Sequence, residues 1–311
     1  AKQRWVNDSP MTCHAHMLEQ AARNKARNPS AKVFHYRNIV KALPWFKAVR
    51  EKLDDPAYAG WFLKFDPKAT THVPRCAAEN RSKCSAFYHD QEQTPAVPTP
   101  AKPHPDGACA GGVCDCGKAP CGEYLFDHRN GSSLRDWIVS ELVLGKSALG
   151  SDAVDGLFID DFWCSNKLCA ADPSIAGCPC GDPVQGPTEI DKHSQVDMGL
   201  SDEDIQQLTL GWNATMGAVQ RAILKAGGYT WSLMQGEQNA NAMPTLLKRS
   251  TCKARLREAC AHGSSWQSHA RLFGLTIENG TQFAQLEQDI AFFLIARGPY
   301  AWIGWGTWGM T

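Results

Sequence analysis

The sequence predicts an α/β protein of the (β/α)8 TIM-barrel class, because strand and helix patterns alternate along it. Seven short apolar stretches are typical of strands, and helical patterns lie between them. Strands that alternate with helices usually pair in parallel through right-handed crossovers. The chain opens on a helical pattern, so we expect the first barrel strand to lie before Ala1. The alternative is an open doubly wound sheet, which is less favoured because no glycine-rich phosphate loop follows an early strand.

The predicted strands are short and rich in aromatic and branched residues. In chain order they cover residues 32–37, 59–65, 123–127, 156–160, 229–234, 271–277 and 300–305. Helices are predicted up to about residue 28 and over residues 136–144, 201–225 and 281–297. The helix after Ser201 has an N-cap residue and an acidic first turn, and it stops at Gly227.

Two cysteine-rich insertions, residues 66–122 and 162–200, interrupt this pattern within a predicted single domain, residues 1–311. Both follow the C-terminal end of a predicted strand. In a barrel that end is the functional face, so we expect the insertions to build or cover a cleft. Disulfides would offset the instability of long segments without regular structure.

The cysteine count and the glycosylation motifs predict a secreted glycoprotein. The chain has 13 cysteines, which fall into groups of six, four and two, with Cys13 alone. Even groups suit disulfide pairing in an oxidising compartment, and the odd residue implies a thiol or a disulfide-linked partner. Four good Asn-x-Ser/Thr motifs predict N-glycosylation at Asn80, Asn130, Asn213 and Asn279.

Charge and motif content exclude several classes of protein. The 32 basic and 32 acidic residues balance, so no nucleic-acid partner is expected. No apolar run is long enough to span a bilayer. The cysteine pairs are of the CxC type and no HExxH motif is present, so neither a metal nor a cofactor is expected.

Acidic residues recur at the ends of the predicted strands and are the candidate catalytic groups. They are Asp127, Asp160, Asp161, Glu237 and Glu278. In a barrel all these ends converge on one mouth, where two neighbouring carboxylates can cleave a glycosidic bond. Strand alternation turns Leu157 and Ile159 toward the helices, so Asp160 is preferred over Asp161. We assign Asp160 as nucleophile or base and Glu237 as acid.

Five side chains near the strand ends are candidate substrate contacts: Tyr36, Arg129, Trp163, Trp231 and Trp305. Trp163 is either a platform for a sugar ring or a plug of apolar core. Arg129, in the sequence Asp127-His-Arg129, either orients a substrate or forms a structural ion pair. The residues alone do not choose between these alternatives.

The segment Asp155-Gly-Leu-Phe-Ile-Asp-Asp161 resembles the DG(V/I/L)FxD(D/N) strand of several glycoside hydrolase families with TIM-barrel folds. The stretch from Tyr124 to Trp137 resembles the unit that precedes it there, except that Gly131-Ser132 replaces a proline. The resemblance covers about residues 123–163. It implies a catalytic carboxylate at Asp160, and no matching motif fixes the partner acid.

The sequence therefore predicts a secreted, glycoside hydrolase-like protein that acts on an extracellular polysaccharide through paired carboxylates. The alternative is a catalytically inactive, carbohydrate-binding or structural glycoprotein on the same fold. A third and weaker option is a lyase or another carboxylate-dependent enzyme.

Overall fold

The computed structural model is a mixed α/β protein. It describes residues 12–66, 68, 87–88, 116, 118, 123–161, 163, 165–171, 195–196, 198–232, 271–274, 286–296 and 301–304. The α-helices are α1 (Cys13–Arg27), α2 (Lys47–Asp54), α3 (Ser132–Trp137), α4 (Asn166–Ala171), α5 (Asp202–Lys225) and α6 (Leu286–Ala296). The strands are β1 (Phe34–Asn38), β2 (Lys41–Ala42), β3 (Tyr124–Leu125), β4 (Gly156–Asp160), β5 (Tyr229–Ser232), β6 (Arg271–Gly274) and β7 (Ala301–Gly304).

Strands β1, β4 and β5 form a parallel sheet with β4 in the centre. Asn38 at the end of β1 is the register partner of Asp160 at the end of β4. A second sheet pairs β2 with β3 in antiparallel fashion, and a third pairs β6 with β7 in parallel. The predicted strand over residues 156–160 is confirmed with both of its boundaries.

The prediction of a closed (β/α)8 barrel is wrong. In the ranges given above, the three sheets have three, two and two strands, and none of them closes on itself. The predicted strand over residues 59–65 starts in a 3-10 helix, Pro56–Trp61, and continues through an antiparallel bridge from Phe62 to Phe126. The predicted strand over residues 123–127 becomes β3, which runs antiparallel to β2. Antiparallel segments do not fit an all-parallel barrel, and β4 pairs directly with β1.

A tight turn after β1 explains why the chain departs from the barrel pattern. The Asn38 side-chain oxygen accepts hydrogen bonds from the backbone N–H groups of Val40 (2.9 Å) and Lys41 (2.6 Å). An asparagine that bonds the backbone two and three residues ahead starts a turn. The chain therefore enters β2 at once, with no crossover helix between the two strands.

The opposite end of β4 is held by Asp155 and Gly156. Asp155 accepts a hydrogen bond from the Val33 backbone N–H at 2.8 Å and pairs with Lys25 at 2.6 Å. A Cβ atom on Gly156 would lie 2.7 Å from the Phe34 ring and 2.5 Å from the Tyr229 carbonyl oxygen. Asp155 and Gly156 thus fix the position of the N-terminal end of β4.

Helix α5 packs against the 3-10 helix His128–Asn130, which contacts the turn after β1. Its start is a capping box in which the Ser201 hydroxyl and the Asp204 carboxylate each accept from the other's backbone N–H, as the sequence predicts. Gly211 lies against the backbone of His128, where a Cβ atom would come within 2.1 Å of the carbonyl oxygen. His128 in turn donates from Nε2 to the Ile39 carbonyl at 2.7 Å, next to Asn38.

Among the helices that the structure describes, none is both long and apolar enough to cross a membrane.

Candidate functional site

A cluster of polar side chains lies where β1 and β4 end. Asp160 and Asp161, called here the acid pair, follow one another on β4 and the residue after it. Leu157 and Ile159 are completely buried, whereas Asp160 lies on the other, less buried face of the sheet. The predicted alternation along β4 is therefore confirmed, although this face does not line a barrel.

Asn38 links the acid pair to β1. Its side-chain nitrogen donates a hydrogen bond to Asp161 Oδ2 and lies 3.2 Å from the Tyr36 hydroxyl. The orientation of this amide is settled, because its oxygen already accepts from two backbone N–H groups. Asn38 thus presents donors, and only donors, to the acid pair.

Lys41 and Glu123 form an ion pair beside Asp161. The Lys41 ammonium lies 2.7 Å from Glu123 Oε2 and 3.5 Å from Asp161 Oδ2. All three side chains are less than a quarter exposed, so solvent screens their charges only in part. One cation is therefore shared between two carboxylates.

The two members of the acid pair have different surroundings. Burial, and then the charge of Asp161, raise the pKa of Asp160 from 3.8 to about 6. The Asp161 backbone N–H donates to Asp160 Oδ1 at 3.0 Å, and together with Tyr36 and Lys41 it limits that rise. Burial also raises the pKa of Tyr36, which keeps its hydroxyl protonated and available as a donor. Asp160 therefore holds a proton under mildly acidic conditions.

Asp161 has a left-handed backbone conformation, with φ near 60°. Within the described part of the chain it is the only residue other than glycine with positive φ. Aspartate tolerates this conformation better than most residues, but it still costs on the order of 1 kcal/mol. Such strain persists where surrounding contacts enforce it, and here the contacts come from Asn38 and Lys41.

Asp127 and Arg129 form a structural ion pair. The Arg129 guanidinium donates to both Asp127 oxygens, at 2.9 and 2.8 Å, and to Asp204 at 2.6 Å. Asp127 also caps the 3-10 helix His128–Asn130 through the backbone N–H of Arg129. Of the two alternatives for Arg129, the structure supports the ion pair that ties this turn to the start of α5.

The remaining predicted site residues have varied positions. Tyr36 lies at the acid pair. Trp163 is completely buried, so no face of its ring is open to a sugar, and its Nε1 has no hydrogen-bond partner among the described residues. The backbone of Trp231 belongs to β5. Outside the described residues lie Glu237, Glu278, Trp305, Asn80 and Asn279.

Three polar residues of the site were missed by the sequence analysis: Asn38, Lys41 and Glu123. The catalytic groups predicted from the sequence were all acidic residues at strand ends. Asn38 carried a usable signal, since it is a turn-forming polar residue directly after an apolar strand pattern. Lys41 and Glu123 carried none, because their meeting depends on the antiparallel pairing of β2 with β3.

No group of three or more histidine, cysteine or acidic side chains in the described segments has the arrangement of a metal site. Cys13 has a buried thiol and forms no disulfide. Cys116 is buried and disulfide-bonded. The pairing of the other cysteines remains a prediction.

The glycosylation motif at Asn213 lies inside α5, and we expect no glycan there. The Asn213 side-chain nitrogen is buried, and Thr215 is completely buried, with its hydroxyl donating to the Gly211 carbonyl at 3.0 Å. A glycan needs a surface asparagine, and at this position it would separate α5 from its neighbours.

The test is peptide mapping of protein secreted from a glycosylating host, after enzymatic removal of N-glycans in ¹⁸O-water. Glycan removal converts an occupied asparagine to labelled aspartate. We expect the peptide with Asn213 to retain unlabelled asparagine. A labelled aspartate at position 213 in folded protein would contradict this placement of α5, and the motif at Asn130 provides an internal comparison.

No protein-family model matches the chain, and no curated protein matches it either.

Proposed function

We propose that the chain is a secreted hydrolase of glycosidic bonds in an extracellular polysaccharide, and that the acid pair is its catalytic centre. The observation that carries the proposal is the contrast between two adjacent carboxyl groups. Asp160 has a pKa raised to about 6, while Asp161 accepts a hydrogen bond from Asn38 and faces the Lys41 ammonium. Acid-assisted cleavage of a glycosidic bond requires one protonated and one ionised carboxyl group, and different environments provide that difference.

In this mechanism Asp160 is the general acid, which revises the role of base or nucleophile that the sequence analysis assigned to it. Its proton passes to the glycosidic oxygen as the bond to the sugar breaks. The carboxylate of Asp161 stabilises the positive charge that develops on the sugar ring, or activates the attacking water. This mechanism assigns no step to Asp127, whose carboxylate is bound by Arg129.

Secretion is supported by composition. Thirteen cysteines suit an oxidising compartment, and the three glycosylation motifs outside α5, at Asn80, Asn130 and Asn279, suit the secretory route. The resemblance of residues 123–163 to glycoside hydrolase strands supports Asp160 as a catalytic carboxyl group.

The second candidate is a non-catalytic carbohydrate-binding or structural glycoprotein. One observation favours it: every described carboxylate near Asp160 is already engaged by a cation or an amide. Such contacts also hold carboxylates that only maintain a fold.

The two candidates are separated by one assay with matched variants. The wild-type protein and Asp160→Asn are incubated with a panel of extracellular polysaccharides between pH 4 and 8, and the release of reducing ends is measured. We expect Asp160→Asn to lose about 10²- to 10⁴-fold in rate on a cleaved substrate, the usual contribution of a general acid. Binding of that substrate should change little.

Asp152→Asn is the control, since Asp152 is an exposed aspartate in the loop before β4. It should retain the wild-type rate. Undiminished hydrolysis by Asp160→Asn would exclude Asp160 as the acid. Binding without hydrolysis by the wild-type protein would favour the second candidate.

A further inference from the structure

The carboxylate of Asp161 is contacted by a hydrogen-bond donor and by a cation. The Asn38 amide and the Lys41 ammonium both approach the same atom, Asp161 Oδ2. A protonated Oδ2 would place its hydrogen against an N–H donor and a cation. Both contacts therefore stabilise negative charge on Asp161 Oδ2.

Asp160 has the opposite kind of surroundings. It is partly buried, adjoins the negative charge of Asp161 and has its main cation, Lys41, engaged by two other carboxylates. The titratable and charged groups that face it are Tyr36 from β1, Asp161, and Lys41 from β2, which in turn pairs with Glu123. These contacts therefore place a single proton of the acid pair on Asp160.

We propose that Asn38 and Lys41 are positioning residues, which hold Asp161 as the charged member of the acid pair and so assign the proton to Asp160. The catalytic role of this arrangement rests on the proposed function. The titration that tests the arrangement does not require activity. Asn38 and Lys41 touch no reacting atom in the proposed reaction. They act through Asp161.

Asn38→Asp is the sharpest variant, because it replaces the side-chain nitrogen by oxygen and leaves the size unchanged. An aspartate can still accept from the backbone N–H groups of Val40 and Lys41, so the turn after β1 is retained. The variant loses the donor to Asp161 and adds a third carboxyl group beside Asp160 and Asp161. We expect the titration of Asp160 to move upward by one pH unit or more, about tenfold in proton affinity.

Lys41→Met and Glu123→Gln form a matched pair that does not depend on the Asn38 variant folding. Both break the 2.7 Å ion pair between these residues. Lys41→Met removes a cation and should move the titration of Asp160 upward. Glu123→Gln releases Lys41 toward the acid pair and should move it downward. A merely structural role of the ion pair would not give shifts of opposite sign.

The readout is a titration of ¹³C-labelled aspartate carboxyl groups by NMR on the full chain, with the Asp160 signal assigned from Asp160→Asn. Opposite shifts in Lys41→Met and Glu123→Gln, with an upward shift in Asn38→Asp, support the inference. Absent shifts, or shifts of one sign in both ion-pair variants, overturn it. The pH dependence of kcat/KM should follow the same order. Expected NMR shifts without any hydrolysis would overturn the proposed function alone.

Discussion

Replacing Gly211 by alanine is expected to destabilise the protein by about 3 kcal/mol, the upper range for overpacking a tight contact. The added Cβ atom would lie 2.1 Å from the carbonyl oxygen of His128 and 2.8 Å from its carbonyl carbon. Backbone atoms cannot rotate away as a side chain can, so α5 or the His128 turn must move. Because His128 donates to the Ile39 carbonyl, that movement would also disturb Asn38.

Gly217→Ala is the control in the same helix. There the nearest atom to a new Cβ is the end of the flexible Arg221 side chain, at 3.3 Å. Alanine is the better helix former, so this variant should gain about 0.5–1 kcal/mol. Urea unfolding followed by tryptophan fluorescence measures both changes. Equal effects of the two substitutions would show that α5 does not pack on His128 as described.

Asp160→Asn is expected to stabilise the protein at pH 8 by roughly 2 kcal/mol, although it slows the proposed reaction by about 10²- to 10⁴-fold. The pKa of Asp160 is raised to about 6 in the folded protein, above its value of 3.8 in the unfolded chain. Its favourable contribution is fully present below pH 3.8 and is lost as the pH rises through 6. Asparagine resembles the protonated form and still accepts from the Asp161 N–H, so its advantage is largest above pH 6 and vanishes near pH 4.

Asp155→Asn, at the other end of the same strand, should have the opposite effect. Burial would raise the pKa of Asp155, but the hydrogen bonds from Lys25 and the Val33 N–H outweigh it, and the pKa is lowered. That contribution is present above the unfolded value and is lost as the pH falls. Asp155→Asn should therefore destabilise the protein at pH 8, with a smaller effect in acid.

Thermal or urea unfolding of both variants from pH 4 to 8 tests whether the two substitutions change the free energy of unfolding in opposite directions. If Asp160→Asn is less stable than the wild-type protein at pH 8, the folded protein does not disfavour the ionised form of Asp160 as proposed. The comparison also separates stability from activity, since groups held in unfavourable environments for catalysis commonly lower stability.

Local patterns in the sequence were enough to predict individual elements. β4 has its predicted bounds, and α5 has the predicted N-cap at Ser201 and the predicted acidic first turn, because alternation and N-cap chemistry act over a few neighbouring residues. The choice of Asp160 over Asp161 followed from the same alternation. The structure shows that the two residues have different surroundings, with a raised pKa for Asp160 and contacts from Asn38 and Lys41 to Asp161.

The arrangement of those elements was not predictable in the same way. The turn made by Asn38 leads into an antiparallel β2–β3 pair, and an apolar stretch does not state the direction of the strand it will pair with. Without convergence at a barrel mouth, Asp127 pairs with Arg129. Lys41 meets Glu123 through the antiparallel β2–β3 pairing. Asn38 meets Asp161 because β1 pairs with β4, which local patterns do not predict either.

The hydrogen bond from Asn38 to Asp161 joins residues that are 123 positions apart in the chain. Bringing such distant residues together costs on the order of 4 kcal/mol in loop-closure entropy, so contacts of this kind raise contact order and form slowly. A newly made or unfolded chain therefore contains two ordinary aspartates. If the acid pair is catalytic, its chemistry therefore requires that β1 and β4 have already paired.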